Sequence, residues 1–125
     1  MKILAFSDWR IQNIEKLIEY IKGLTEKPDF IIYTGDDIGR FNKIPEKELP
    51  KLFKKYIDNS LDKNYFEEIA KHSKHGLLAV AGNDDLPFIV NAICGKNVFN
   101  IYNKPFVLKD YMFVGIEGST KPPGF

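Results

Sequence analysis

The chain holds one cysteine, Cys94, in 125 residues, which excludes an internal disulfide framework and suits a reducing compartment. A cytoplasmic location is expected on that ground. Histidine is almost as scarce, at two residues, so nitrogen ligands for a metal are few. Arginine numbers 2 against 16 lysines, which makes each arginine conspicuous. The net charge is only +1, so there is no basic footprint and nucleic acid is not an expected partner. No apolar run approaches the roughly 18 residues of a membrane span. The chain enters a strand-like run at Ile3 without a charged-then-apolar leader, so neither membrane nor export is expected.

What is abundant is apolar and aromatic. Hydrophobic residues make up 44%, with ten Phe and six Tyr, enough for the core of one domain. Three short apolar runs stand out: Ile3-Leu4-Ala5-Phe6, Phe30-Ile31-Ile32-Tyr33 and Leu77-Leu78-Ala79-Val80-Ala81. Such runs, bounded by Gly and Asp, read as buried parallel strands. Between the first two, Ile11, Ile14, Leu17, Ile18, Ile21 and Leu24 have helical spacing, and Lys27-Pro28-Asp29 ends the helix. This is a βαβ unit, whose strands run parallel with a right-handed crossover. Two further amphipathic helices are predicted, around Leu49 to Ile57 and over Asn64 to His75, with Gly76 as C-cap. A helix from Asp85, its N-cap, to about Cys94 follows. Val98, Ile101-Tyr102, Phe106 to Leu108 and Tyr111 to Ile116 then read as short strands, with a tight turn at Lys109-Asp110.

Each of the three apolar runs is followed by an acidic signal: Ser7-Asp8-Trp9-Arg10, Gly35-Asp36-Asp37 and Gly82-Asn83-Asp84-Asp85. Ligands of open α/β sheets gather outside the carboxyl ends of the strands. Asp8, Asp36 and Asn83 are thus expected to meet in one oxygen-rich pocket, suited to a divalent cation and a phosphate.

In order, spacing and preceding strands, these motifs resemble the calcineurin-like metallophosphoesterase family, which opens with Asp-x-His, Gly-Asp-x-x and Gly-Asn-His-Asp. The resemblance implies an α/β fold: a parallel sheet with flanking helices and the start of a second sheet, part of a two-sheet sandwich. It assigns residues 1–125 to one such domain, with a βαβ core at 1–95, additional strands at 96–117 and a terminal loop at 118–125. It also implies hydrolysis of a phosphoester by a divalent metal-bound hydroxide. Asp36 would bridge two ions, Asp8 would serve the first and Asn83 the second, with Mn²⁺ foremost and Mg²⁺, Fe or Zn²⁺ as alternatives. Arg10 and Asp84 would be the catalytic side chains beside the metal.

This sequence departs from the family at those last two positions. Arg10 stands where the family has a histidine ligand, and Asp84 where most members have a histidine that assists the phosphate and the leaving group. The family's later Gly-His-x-His segment has no counterpart before Phe125. The chain is therefore expected to be the leading part of a phosphoesterase or a shortened descendant, binding one ion or binding weakly.

Several residues have plainer readings. Arg10 either clamps phosphate or pairs with Asp8 or Asp36, since both use the same fork. Asp37 reads as a turn residue and Asp84 as a solvated turn acid. His72 and His75 have zinc-like spacing but suit a helix C-terminus better. Lys51, Lys54 and Lys55 read as a solvated face, Gly118-Ser119-Thr120 as a plain loop, and Cys94 as core filler. Trp9 fits a pocket wall and a core position alike. Two other functions compete with hydrolysis. One is a non-catalytic binding or interaction module on the same fold, including a homodimer that covers the unfinished sheet edge. The other, a response-regulator receiver domain, wants its acidic pair after the first strand, where only Asp8 stands.

Overall fold

A computed structural model of the chain describes residues 1–8, 14–36, 65–82, 85 and 93–116. The helix predicted around Leu49 to Ile57, most of the one predicted after Asp85, and the terminal loop lie outside these residues. Four strands, β1 (Ile3–Phe6), β2 (Phe30–Tyr33), β3 (Leu77–Ala79) and β4 (Val98–Asn100), form one sheet in sequential order. All its pairings are parallel, in the registers Ile3↔Phe30, Ile31↔Leu77 and Leu77↔Val98. Helices α1 (Ile14–Lys22) and α2 (Tyr65–Ala70) occupy crossovers, and β5 (Phe106–Leu108) and β6 (Tyr111–Phe113) form an antiparallel hairpin.

Sequential strand order with crossovers of one hand puts the helices on one face of a sheet. The core divides accordingly. On the helix side Ile31, Tyr33, Leu77, Ala79 and Val98 pack with Leu17, Ile18 and Ile21 of α1 and Ile69 and Ala70 of α2. The alternate residues Phe30, Leu78 and Val80, with Ile101, face the hairpin's Phe106, Leu108 and Phe113. Phe30 is fully buried at the centre of this second seam. Its ring lies 5.6 Å from Phe106 in edge geometry and 5.2 Å from Phe113, while Phe99 and Phe106 are 4.6 Å apart. Such aromatic pairs add directional attraction to their large buried area. Four of the ten phenylalanines, Phe30, Phe99, Phe106 and Phe113, thus join the hairpin to the sheet.

The first strand departs from expectation. Ile3 is 47% exposed and only Leu4 and Phe6 reach the core, because β1 is the edge of the described sheet and the hairpin does not cover it. The second helix also stops early, at Ala70 instead of His75. A buried serine organises the turn that follows. The Ser73 hydroxyl accepts the Gly76 N–H at 2.8 Å and lies 2.7 and 3.0 Å from the carbonyls of Gly76 and Ala70. Gly76, at φ 112°, thus opens β3 and does not cap the helix. Cys94 is exposed, not core filler, because its neighbour Ile93 takes the buried place. The Lys109-Asp110 turn is as expected, with Lys109 at φ 51° closing the hairpin. Among the described residues no helix is long and apolar enough to cross a membrane.

Candidate functional site

Parallel pairing brings the C-terminal ends of β1, β2 and β3 to one edge of the sheet, and Asp8, Asp36 and Gly82 follow those ends. The ladder runs on past the strands. Thr34 N–H donates to Phe6 O at 3.1 Å, and Val80 N–H donates to Tyr33 O at 3.0 Å. One step further, Asp8 N–H donates to Gly35 O at 3.0 Å. That bond sets Asp8 directly beside the peptide that joins Gly35 to Asp36.

Three residues of this junction have left-handed backbones: Asp8 at φ 51°, Gly35 at 83° and Asp36 at 64°. Glycine enters that region without penalty and aspartate enters it more readily than most residues. The Gly-Asp pair after β2 therefore has a backbone reason as well as a chemical one. Space imposes a second requirement. A Cβ on Gly35 would sit 2.6 Å from both the Ala81 carbonyl carbon and Asp85 Oδ2, closer than real contacts allow. A Cβ on Gly82 would overlap the Asp36 carboxylate. The loops after β2 and β3 thus touch backbone to backbone, and the Asp36 carboxylate rests against the bare face of Gly82.

Asp85 was expected to cap a following helix. Its Oδ2 reaches back, accepting Gly82 N–H at 2.7 Å and Asp36 N–H at 2.9 Å. The helix it would cap lies outside the described residues. Asp8 is exposed, and its Oδ2 accepts the Ser7 hydroxyl at 2.8 Å.

A cavity of about 540 Å³ opens beside Asp36. Thr34, Asp36 and Gly82 form its sheet side, and Met112 to Ile116 of the hairpin form the other. Sequence reasoning missed the hairpin's part in this wall. The available signal was the exposed apolar run Val114-Gly115-Ile116 directly after a strand.

Of the five predicted site residues, Asp8 and Asp36 are described, with the Asp8 amide bonded to the Gly35–Asp36 peptide. Arg10, Asn83 and Asp84 lie outside the described residues, as do Trp9 and Asp37. The described donors suit a hard divalent cation in kind, being carboxylate oxygens on adjacent loops. They are few: among the described residues no group of three or more His, Cys, Asp or Glu side chains is positioned to hold a metal. His72 and His75 have different neighbours. His72 Nε2 lies 3.5 Å from Glu68, and the His75 ring stacks 5.2 Å from Phe30.

Two carboxyls away from this junction are clearly shifted. Asp29 is held down to about 2, by its hydrogen bond from Lys74 and then by the Lys2 amide. Glu68 is likewise held down to about 2, first by Lys71, with Lys22 and His72 adding to it. Both shifts come from structural ion pairs on the surface.

No curated protein and no solved structure shows significant similarity to the chain. The family model for calcineurin-like phosphoesterases, by contrast, matches residues 1–120. Its span takes in all three acidic motifs, the parallel sheet that carries them and the hairpin beside them. The chain belongs to the calcineurin-like phosphoesterase family.

Proposed function

We propose that the chain is a metal-dependent phosphoesterase whose cation, Mn²⁺ foremost, is held by Asp8, Asp36 and Asn83. The main support is the hydrogen bond from Asp8 N–H to Gly35 O, which sets two carboxylate-bearing loops side by side at the ligand-binding edge of the sheet. A divalent cation there supplies an acidified water and neutralises charge that develops on the phosphoryl oxygens. Asp36, between the other two loops, is suited to share its carboxylate between ions. Arg10 fits a clamp on the phosphate, and Asp84 a proton donor to the leaving group. The cavity beside Asp36, walled by Met112 to Ile116, would receive the ester's alcohol portion.

Titration calorimetry with Mn²⁺, run on the wild type and on Asp36→Asn, tests the metal site. Hydrolysis of bis(p-nitrophenyl) phosphate and p-nitrophenyl phosphate, with and without a chelator, tests the reaction. Binding lost in the variant and turnover lost to the chelator are expected. Equal Mn²⁺ binding by the two proteins would sink the assignment.

A second reading, a non-catalytic member, is favoured by Arg10 and Asp84 in place of histidines. Val107, Met112, Val114 and Ile116 on the hairpin are exposed, as a surface for a second copy would be. Folded protein that binds no metal and sediments as a dimer would support it.

A further inference from the structure

We propose that Asp85 is a positioning residue that holds Asp36 in its left-handed backbone and so aims its carboxylate into the site. A left-handed aspartate is stable only when its surroundings over-determine it. The restraint at Asp36 comes from Asp85, 49 residues further along, whose Oδ2 takes the Asp36 amide at 2.9 Å. The same oxygen takes the Gly82 amide at 2.7 Å. Bonds from amides to an ionised carboxylate are the stronger kind. One atom thereby fastens the loop after β2 to the loop after β3.

The glycines fit around this fastening. Oδ2 lies so close over Gly35 that an added Cβ would come within 2.6 Å of it. Any side chain at Gly35 would push the carboxylate off both amides. Gly82 presents its own bare face to the Asp36 carboxylate, so the side chain is limited on one flank while its backbone is tied on the other. Gly35, Asp36, Gly82 and Asp85 thus act as one mechanical unit. Both amides that Oδ2 serves lie behind Asp85 in the chain. Asparagine at this position keeps one oxygen able to accept both bonds, whereas alanine keeps none.

The consequence for metal affinity rests on the metal-dependent reading above; the fastening itself does not. Amide hydrogen exchange in metal-free protein reads the fastening directly. Asp36 and Gly82 amides should be protected in the wild type. In Asp85→Ala they should exchange at least about tenfold faster, while the ladder amides of Ile31 and Leu77 stay as they were. Mn²⁺ affinity should fall about tenfold or more in Asp85→Ala and return to within about threefold of wild type in Asp85→Asn. Fast exchange at Asp36 in the folded wild type would overturn the proposal, and that measurement stands even if the alanine variant does not fold. Unchanged exchange in Asp85→Ala would overturn it too. Asp85→Asn binding Mn²⁺ as poorly as alanine would assign the effect to charge or direct ligation instead. A wild type that binds no Mn²⁺ would defeat the metal reading alone, and exchange would still decide the role of Asp85.

Discussion

The two ends of the parallel sheet both use aspartate, and they use it differently. At the N-terminal end Asp29 spends both carboxylate oxygens on neighbours: Oδ2 on the Lys2 amide at 2.6 Å, Oδ1 on the Lys74 ammonium at 2.8 Å. Its own backbone is tied too, with Asp29 N–H donating to Lys2 O and His75 N–H donating to Asp29 O. Its depressed pKa records that engagement. At the C-terminal end, on the function proposed above, the structural and chemical tasks fall to separate residues. Asp85 fastens the loops through its side chain, while Asp8 and Asp36 take part through backbone amides. A carboxylate consumed by structure makes a brace. Leaving the brace to a third residue suits the metal-binding role proposed for the first two.

The sharpest way to break that contrast is at Gly35. Alanine there meets both a positive φ and the crowded Asp85 oxygen, so a loss of roughly 3 kcal/mol in urea unfolding is expected, together with loss of Mn²⁺ binding. Phe30→Ala, in the seam between the two ends, should cost a similar 3–5 kcal/mol or so by cavity formation, but should leave Mn²⁺ affinity close to wild type while the protein stays folded. A fall in affinity as large as that of Gly35→Ala would show that the seam, and not the loop junction, shapes the site.

Asp29→Asn probes the brace. The folded pKa of Asp29 lies below its unfolded value, so its stabilisation is complete above about pH 4 and drains away as pH falls toward about 2. Thermal melts should therefore show the variant less stable than wild type at neutral pH, with the gap closing in acid and Mn²⁺ binding untouched at neutral pH. A constant gap across that range would mean that Asp29 acts without its charge. Smallest of all is the ion pair between Lys2 and Glu26, both largely exposed. Glu26→Gln should shift unfolding by no more than about 0.5 kcal/mol, and a larger shift would show that the N-terminal end depends on a wider charge network than Asp29 alone.

Much of the scaffold was legible. β1 and β2 have the residues expected of them because short apolar runs closed by Ser7-Asp8 and by Gly35-Asp36 leave few other solutions, and the hairpin turn falls where Lys109-Asp110 suggested. The meeting of Asp8 with the Gly35–Asp36 loop followed from parallel order alone. The burial of β1 was misread, since an edge strand and a central one can carry the same four apolar letters. Ser73 gave no signal, because its partners form only once the turn does. Asp85 was the instructive case. A carboxylate ahead of a helix-like stretch looks like a cap, and only the folded chain brings in an amide 49 residues away as a further partner. Local sequence describes what a side chain could bond nearby, and the fold adds partners that no local reading contains.

The phenylalanine seam bears on how the molecule can be divided. Phe30 and Phe99 lie in the parallel sheet, yet the rings that cover them, Phe106 and Phe113, come from the hairpin. A fragment ending before Phe106 would keep every strand that carries an acidic motif and still present a bare aromatic sheet face to water. It would be sticky and poorly soluble for reasons unrelated to its chemistry. Minimal versions of this site have to be cut from outside the hairpin inward, and never between the two sheets.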